Sequence, residues 1–339
     1  MNREPDATAV KAGRHDASKL SATLRADGFV FFRDFLPIEE VDEARREIEA
    51  LFARDLEERA ARGVGDPHYD SSAGHSVLTR PTHLLLDLYG KSPALDRLFE
   101  RILTDPASSA VVSDLAGGAI KLRGYNCTRL TGEHDPRPKE GPAPNPHEWH
   151  RDSFGEFGFG IFLTDFAEPD PGTTALMRGS HAYPFCPRWN CLFGPPYHNG
   201  DPIFLHFNPF SRLLARTLRR RMTGAYGRRG DFYIFINDTW HGREPNTRGN
   251  KGLRVLIGAF PSDLDYPDPV APVQSDVLMK LPPAVRGVAP QPREPGPAHP
   301  KPILDDMAAR QKRLAWHPLF ALARWERKIA NRLSALLAG

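Results

Sequence analysis

The stretch GDFYIFINDTWHGREPN, residues 230–246, carries the clearest strand pattern in this chain of 339 residues. Its apolar run, from Phe232 to Ile236, follows a glycine and an aspartate and gives way to polar turn residues. A short run of aromatic and β-branched residues between turn residues predicts a buried strand. We predict that this strand ends at His241, and the imidazole of a histidine is a common metal ligand.

Four further segments have the same character. They are AIKLRGYNCTRL (119–130), FGFGIFLTDF (157–166), TTALMRGS (173–180) and LRVLIGAF (253–260). Short strands separated by Gly, Pro, Asn and Asp turns predict an antiparallel sandwich or barrel. The 33 prolines and 28 glycines indicate many loops and argue against a helical bundle or coiled coil.

Helices are predicted before these strands. Residues 18–28 place two leucines on one helical face, and GFVFFRDF (28–35) is then typical of a strand. Residues 37–63 predict a long amphipathic helix, with proline in its first turn and acidic residues near its N-terminal end. Residues 93–116 predict one or two more helices. The predicted fold class is therefore mainly β with flanking α.

Composition and charge restrict the function classes. Hydrophobic residues make up 40% of the chain and charged residues 26%, which is ordinary for a soluble globular protein. Residues 301–339 contain eight Lys or Arg and three Asp or Glu, which gives this segment a net charge of +5. The whole chain has a net charge of +3, so the remaining residues have a net charge of −2. A nearly neutral body gives no support for nucleic-acid binding.

Targeting and redox features of the sequence are few. No run of about 18 apolar residues is present, so no transmembrane helix is expected. The first 18 residues are polar and lack the apolar core of a secretory signal. Cys127, Cys186 and Cys191 form no CxxC pair and are too few for a disulfide framework. We expect a cytoplasmic, reducing compartment.

The stretch NPHEWHRDSFGEF, residues 145–157, contains a candidate metal site. On a strand, His150 and Asp152 would point to the same side, because residues two apart share a face. Together with His241 from a distant strand, they would make a facial triad of two imidazoles and one carboxylate, which leaves three positions of an octahedral iron(II) open. The absence of thiolates disfavours a closed structural zinc site. Glu156 is predicted to lie at the rim.

A second His-x-Asp, at His68 and Asp70, precedes the run of predicted strands that begins at residue 119 and is interpreted as a chance match. An iron site that activates O2 needs two further electrons, which a 2-oxo acid can supply. The far carboxylate of that acid needs a bidentate cation, and arginine is suited to this. Arg254 opens the strand LRVLIGAF, and the turn before it would bring that strand beside His241. Arg243 and Arg248 are alternatives within the turn.

Taken together, the segments WHRD, LTDFAEPDPGTTALMRGSH, GDFYIFINDTWHGREPN and LRVLIGAF resemble the phytanoyl-CoA dioxygenase-like branch of the iron(II)/2-oxoglutarate oxygenases. The N-terminal LRADGFVFFRDFLPIEEVDEARREI is also typical of that family, and the resemblance covers roughly residues 20–260. It implies a double-stranded β-helix (jelly-roll) core. It also implies His150, Asp152 and His241 as iron ligands and Arg254 as the 2-oxoglutarate anchor.

The chain departs from the family pattern at two positions, where Arg243 replaces a small polar residue and Arg178 replaces a proline. Related halogenases have a small residue in place of the aspartate, so Asp152 favours hydroxylation or another oxidation.

Three further residues are candidate contacts for the co-substrate. Asn126 and Thr128 share one face of the strand GYNCTRL, where family members place polar residues that help bind 2-oxoglutarate. A purely structural role on the strand face is equally compatible, and Tyr125 and Arg129 take their place if the register shifts by one residue. Thr164 is the third candidate.

The chain is predicted to divide into four segments. Residues 1–17 are a disordered N-terminal segment, and residues 18–260 form the oxygenase domain, in which residues 185–223 are a lid-like insertion. Residues 261–302 are a proline-rich wrapping segment, and residues 303–339 form a basic amphipathic helical tail.

The apolar stripe of that tail is Leu322, Trp325, Ile329, Leu333 and Leu336. We expect this stripe to pack on the barrel or on a second copy of the chain. Contact with a membrane surface is the lesser alternative.

The predicted function is hydroxylation of an unactivated C–H bond of a small molecule, a secondary metabolite or a lipid-like or carrier-linked compound, with Fe(II), 2-oxoglutarate and O2 and with release of succinate and CO2. Basic residues in the insertion would favour an anionic or carrier-linked substrate, although a solvated basic face explains them equally well. The same oxidant could instead drive desaturation, cyclisation or epimerisation. A non-catalytic binding protein of the same fold is the alternative from another class. A monomer or a homodimer is expected.

Overall fold

The structure is a computed structural model that describes residues 9–11, 16–63, 76–79, 82–132, 151–166, 172–184, 221–244, 246, 249–264, 271–291 and 298–338. Within these ranges the chain forms eleven strands and eight α-helices. The strands build two sheets that enclose a cavity, and helices cover the outer face of the larger sheet.

The strands follow the predicted antiparallel pattern. They are β1 (Ala9–Lys11), β2 (Phe29–Arg33), β3 (Ser76–Thr79), β4 (Thr82–Leu85), β5 (Ile120–Thr131), β6 (Phe157–Phe162), β7 (Thr174–Met177), β8 (Met222–Gly224), β9 (Phe232–Ile236), β10 (His241–Arg243) and β11 (Lys251–Pro261). Eight form one sheet in the order β1-β2-β9-β6-β11-β5-β4-β3, and the other three form a sheet in the order β10-β7-β8. The arrangement is the jelly-roll core that the sequence predicts.

The helices lie before and after the sheet strands. They are α1 (Ala17–Asp27), α2 (Ile38–Ala61), α3 (Pro93–Thr104), α4 (Pro106–Ala116), α5 (Ser275–Leu278), α6 (Pro283–Val288), α7 (Pro302–Leu314) and α8 (Pro318–Ala338). Several begin at side chains that accept hydrogen bonds from the first free backbone N–H groups. Asp16 caps α1, Ser92 caps α3 and Asp105 caps α4.

The alternation in β9 shows how one strand serves two layers. Phe232, Ile234 and Ile236 belong to the core between the large sheet and the helices. Tyr233 and Phe235 point the other way and pack in a second apolar cluster that includes Leu176 of the small sheet. Because successive side chains of a strand point to opposite faces, a strand that is buried on both sides has no polar positions.

The structure corrects the predicted position of His241. The strand of residues 232–236 does not extend to this histidine, because a turn follows in which the Thr239 N–H donates to the Ile236 carbonyl. His241 instead begins β10 in the small sheet, where it lies opposite Leu176. Likewise β11 is hydrogen-bonded to β5 and β6 rather than to β10, so Arg254 is not on a strand that pairs with His241.

The segment boundaries also differ from prediction. Ala9–Lys11, predicted to be disordered, pairs in parallel with β2. Residues 222 and 223, predicted to belong to the insertion, are part of β8, which pairs with β7, whereas residues 185–220 lie outside the described residues. The proline-rich segment contains the short helices α5 and α6, which were missed because they are only one or two turns long.

In the part of the chain that the structure describes, no helix combines the length and the apolar run that crossing a bilayer requires.

Candidate active site

His241 is held with one ring nitrogen ready to bind a metal. Its Nδ1 lies 2.7 Å from the carbonyl oxygen of Thr239, and because a carbonyl only accepts, Nδ1 carries the proton. The lone pair is then on Nε2, and a backbone partner of this kind typically fixes the orientation of a metal-binding histidine. The ring is buried, and Phe235 packs edge-on against it.

Asp152 meets this nitrogen from the other side. Its Oδ2 lies 3.4 Å from His241 Nε2, and the amide of Asn237 donates to the same carboxylate oxygen over 3.2 Å. Two ligands that bind one ion at right angles, each at about 2.1 Å, would have their ligand atoms about 3.0 Å apart. The observed separation is therefore close to that of two neighbouring positions around a metal ion.

The predicted strand around Asp152 is not formed, since β6 begins only at Phe157. The Asp152 N–H nevertheless donates to the Asn237 carbonyl over 3.1 Å, which ties this segment to the end of β9. The third predicted ligand, His150, lies outside the described residues, as do His147, His68 and Arg248. The described residues by themselves contain no cluster of three metal-binding side chains.

Arg254 is a buried cation that lines the same cavity as Asp152 and His241. The residue is 5% exposed, and its Nη1 donates to the Thr173 hydroxyl over 3.1 Å. Its Nε has no hydrogen-bond partner, and no carboxylate forms an ion pair with it among the described residues. A buried charge without a counter-ion is costly, so the geometry fits a site that is completed by an anionic ligand.

The cavity that joins these groups has a volume of about 660 Å³ and lies between the two sheets. Asp152, His241, Arg254, Asn126 and Thr128 all line it. The predicted metal ligands of the described region and the predicted 2-oxoglutarate contacts thus meet in one space, with the exception of Thr164.

Thr164 does not line the cavity in the structure. Its hydroxyl accepts a hydrogen bond from the Leu253 N–H over 2.9 Å, which secures the start of β11. The alternatives in the shifted register also point elsewhere: Tyr125 is completely buried in the core, and Arg129 stacks on the Phe52 ring.

Comparison with known proteins gives this arrangement a family. The family model described as phytanoyl-CoA dioxygenase (PhyH) matches residues 24–251. The chain belongs to the phytanoyl-CoA dioxygenase family. Enzymes of this family use Fe(II), 2-oxoglutarate and O2, and the donor set of the cavity agrees with that chemistry. No curated protein matches the chain.

Three solved structures of similar shape were found. The epimerase SnoN from nogalamycin biosynthesis is 17% identical, with 77% of this chain and 96% of that chain covered and a TM-score of 0.45. The carbocyclase SnoK from the same biosynthesis is 18% identical, with 84% and 98% covered and a TM-score of 0.47. HygX from Streptomyces hygroscopicus, with nickel and 2-oxoglutarate bound, is 15% identical, with 72% and 87% covered and a TM-score of 0.44. These likenesses assign neither a substrate nor a reaction to this chain.

The cavity of this phytanoyl-CoA dioxygenase-family protein contains a second charged pair, which the sequence did not reveal. Arg123 Nη1 donates to Glu156 Oε2 over 2.7 Å, and both residues line the cavity. The paired register of β5 and β11 shifts between Gly258 and Ala259, so Arg123 is the extra residue of a β-bulge. A bulge redirects a side chain, and here it turns Arg123 toward Glu156.

Glu156 is therefore not a rim residue as predicted. It is buried, and burial raises the pKa of its carboxyl above the ordinary value, while the hydrogen bond from Arg123 opposes that rise. Beside this pair, three glycines form what we call the glycine floor of the cavity. Gly124, Gly258 and Gly158 lie directly opposite one another on three adjacent strands. Pairing of this kind cannot be recognised before the register is known.

A second layer of contacts supports the segment that carries the predicted metal ligand Asp152. Asp238 is completely buried, and it lies 3.7 Å from Arg151, the residue between His150 and Asp152 in sequence. The Gly155 N–H and the Gln311 amide both donate to Asp238, and burial raises the pKa of this carboxyl. Helix α7 is in this way connected to the segment that contains Asp152.

His181 has a structural role. It is buried in the turn after β7, and its Nε2 lies 3.0 Å from the Arg25 carbonyl oxygen. This contact connects the turn to helix α1. Burial lowers the pKa of this histidine to about 4, so it stays neutral at physiological pH.

Proposed function

We propose that this Fe(II)- and 2-oxoglutarate-dependent enzyme hydroxylates an unactivated C–H bond of a small molecule at a metal held by His150, Asp152 and His241. The observation that carries the proposal is one cavity that contains both the Asp152–His241 pair and the buried Arg254, which has no carboxylate partner among the described residues. When bound, iron would couple the oxidation of 2-oxoglutarate to succinate and CO2 to the insertion of an oxygen atom into substrate.

The protein's part on the metal side is to fix two ligands before any metal arrives. The Thr239 carbonyl holds the proton of His241 on Nδ1 and so presents Nε2. The Asn237 side chain and main chain both contact Asp152, so the carboxylate keeps its direction. When such partners already fix the ligand side chains, metal binding loses less conformational entropy.

On the other side, Arg254 would receive the distal carboxylate of 2-oxoglutarate. Its guanidinium is in place because the Thr173 hydroxyl accepts from Nη1, and its Nε remains available for an anion. Asn126 and Thr128 lie on the strand beside it and would contact the same molecule. The Asn126 Oδ1 already accepts from the Asp87 N–H over 3.3 Å, so its amide group is oriented.

The glycine floor and the Arg123–Glu156 pair would form the substrate side of the cavity. Two cations line the described part of the cavity. Arg123 is paired with Glu156, and Arg254 would be paired with 2-oxoglutarate. This balance favours a neutral, polar group of the substrate at this wall over the anionic one that the basic insertion suggested. The basic residues 212–220 of that insertion lie outside the described residues.

The proposal is tested by measuring succinate formation by the purified protein with Fe(II), 2-oxoglutarate and O2. Slow succinate formation without substrate is expected, with stimulation by the true substrate. The absence of both iron binding and succinate formation would contradict the proposal. Mass analysis of the product then separates hydroxylation, which adds one oxygen atom, from desaturation or cyclisation, which removes two hydrogens, and from epimerisation, which changes no mass.

A further inference from the structure

The outer face of α8 exposes apolar side chains at helical spacing. Leu322, Trp325 and Ile329 lie three and four residues apart and are all exposed, and Trp325 is 61% exposed. Trp316, in the short connection between α7 and α8, is 88% exposed. We call Trp316, Leu322, Trp325 and Ile329 the tryptophan face.

The helix is attached to the protein by a different side. Phe320, Ala323 and Glu326 are buried, and the Phe320 ring packs on Tyr183 at a centroid distance of 5.0 Å. The expectation that the apolar stripe packs on the barrel is therefore wrong for its described part. A contiguous exposed apolar surface of this kind usually marks an interaction site.

Positive charge surrounds the tryptophan face. A groove of about 380 Å³ between the two helices is lined by Lys312, Ala315, Trp316, Ala321, Arg324, Trp325 and Lys328. The groove lining thus contains three cations and no acidic side chain. One turn further along α8, Arg332 is also exposed. An acidic residue of this helix, Glu326, is buried on the inner side.

We propose that the tryptophan face binds the surface of an anionic lipid bilayer, with α8 lying in the plane of the interface. Tryptophan combines an apolar ring with one polar N–H and is enriched at membrane interfaces. Lysine and arginine beside it are attracted to anionic headgroups. An amphipathic helix with aromatic and aliphatic residues on one face and cations along its border binds in this orientation.

The charge pattern disfavours a second copy of the chain as the occupant. A twofold dimer places the same patch on both sides of the interface, so Lys312, Arg324 and Lys328 of one copy would approach their own equivalents. Like charges that face each other across an interface oppose association. A bilayer with acidic headgroups supplies the opposite charge along the whole length of the helix.

The test uses the full-length protein and sucrose-loaded vesicles, made either of phosphatidylcholine alone or with about 30% phosphatidylglycerol. We expect the protein to sediment with the anionic vesicles and not with the neutral ones, and we expect added salt to weaken the binding. The double variants Trp316→Ser/Trp325→Ser and Lys312→Gln/Lys328→Gln should each bind at least about tenfold more weakly.

Two variants on α2 serve as matched controls. Leu56→Ser removes an exposed apolar residue and Arg62→Gln an exposed cation, both far in sequence from the tryptophan face, and both should bind like wild type. Thermal unfolding shows that each variant is folded, and succinate formation from 2-oxoglutarate should not change in any of them. The membrane result and the catalytic proposal are thus tested independently.

Three outcomes would overturn the proposal. The first is the absence of sedimentation with anionic vesicles, or equal binding by wild type and both double variants. The second is a wild-type dimer that Trp316→Ser/Trp325→Ser converts to a monomer, because a second copy would then occupy the face. The third is an acrylamide-accessible fraction of tryptophan fluorescence that the same double variant leaves unchanged, because the two tryptophans would then be covered within the chain.

Discussion

Two regions of the molecule break the usual rule that charged side chains are exposed and apolar ones are buried. One is the cavity between the two sheets, and the other is the tryptophan face. In the cavity, Arg254 and Glu156 are charged groups that folding has buried. On the tryptophan face, Trp316 and Trp325 are large apolar groups that folding has left exposed. Buried charges and contiguous exposed apolar surface are both rare because both are costly, so each indicates a partner that offsets the cost.

The two regions differ in what their partners must supply. In our proposal the cavity takes small charged species, a metal cation at Asp152 and His241 and an anion at Arg254. The tryptophan face needs an extended surface that is apolar in its interior and anionic at its border. The predictions below separate the two regions by changing one while the other serves as reference.

The largest effect is expected from Asp152→Ala. Removing the carboxylate 3.4 Å from His241 Nε2 takes away one ligand, so iron affinity should fall by about 100-fold or more. Iron content after dialysis, together with succinate formation, measures the loss. Glu57→Ala, which removes an exposed carboxylate of α2, is the control and should retain iron. Equal iron content in wild type and Asp152→Ala would show that the metal assignment is wrong.

A pH effect is expected at the junction between the two regions. His181 has a folded-state pKa of about 4 against 6.5 for a free histidine, so it contributes stability that is present above pH 6.5 and is lost as the pH falls toward 4. Between pH 7 and pH 5, the protonation of His181 should lower the free energy of unfolding by about 2 kcal/mol.

Chemical denaturation at pH 7 and pH 5 measures this share as the difference between wild type and His181→Gln, whose unfolding free energy should depend less on pH. His317→Gln changes an exposed histidine and should keep the wild-type pH dependence. If the unfolding free energy of wild type and of His181→Gln changed equally with pH, the burial of His181 as a neutral ring would be contradicted.

A smaller effect is expected from Glu156→Gln. Glu156 pairs with Arg123 on the wall assigned to substrate, so metal and 2-oxoglutarate affinities should change by no more than about threefold. Calorimetric titration of both ligands measures this. A loss of more than about tenfold in metal affinity would instead make Glu156 part of the metal site.

The smallest effect is expected from Trp325→Ala. A side chain that is 61% exposed contributes little to folding, so the free energy of unfolding should change by no more than about 0.5 kcal/mol. Trp240→Ala is the matched buried case and should cost about 3 kcal/mol or more, because Trp240 is completely buried against Tyr183. A comparable loss in both variants would mean that the tryptophan face is covered in the isolated protein.

The short apolar strands separated by turn residues predicted an antiparallel sandwich or barrel, and the resemblance to the family implied the jelly-roll core that is observed. Sequence reasoning also selected Asp152, His241 and Arg254, which lie far apart in sequence and line one cavity in the structure. They were selected by their residue types together with the resemblance to the family, because the strand arguments for them were wrong: no strand forms around Asp152, and β11 does not pair with the strand of His241. Their roles as ligands stay predictions.

Other features could not be predicted, because they depend on how strands pair. The β-bulge that turns Arg123 toward Glu156 exists only through the register of β5 against β11. Glu156 was placed at the rim because nothing in its own sequence shows that Asn237 pairs with its carbonyl and draws it into the sheet edge. Register is a relation between two segments, and a single segment does not contain it.

The C-terminal helix shows the same limit from another side. Its periodicity predicts an apolar stripe at Leu322, Trp325 and Ile329, and that stripe exists. Periodicity does not say which face the rest of the protein covers, and here the contact is made by Phe320 and Ala323 instead. The direction of an amphipathic face is decided by tertiary packing.

The most direct test of the catalytic account is the affinity for 2-oxoglutarate, measured without oxygen in the metal-loaded protein, for wild type, Arg254→Gln and the control Arg62→Gln. We expect Arg254→Gln to bind 2-oxoglutarate about 100-fold more weakly while it retains the metal, because the lost guanidinium is the buried counter-charge of the distal carboxylate. Arg62→Gln should match wild type. Equal affinity in wild type and Arg254→Gln would contradict the assignment of this cavity as the 2-oxoglutarate site.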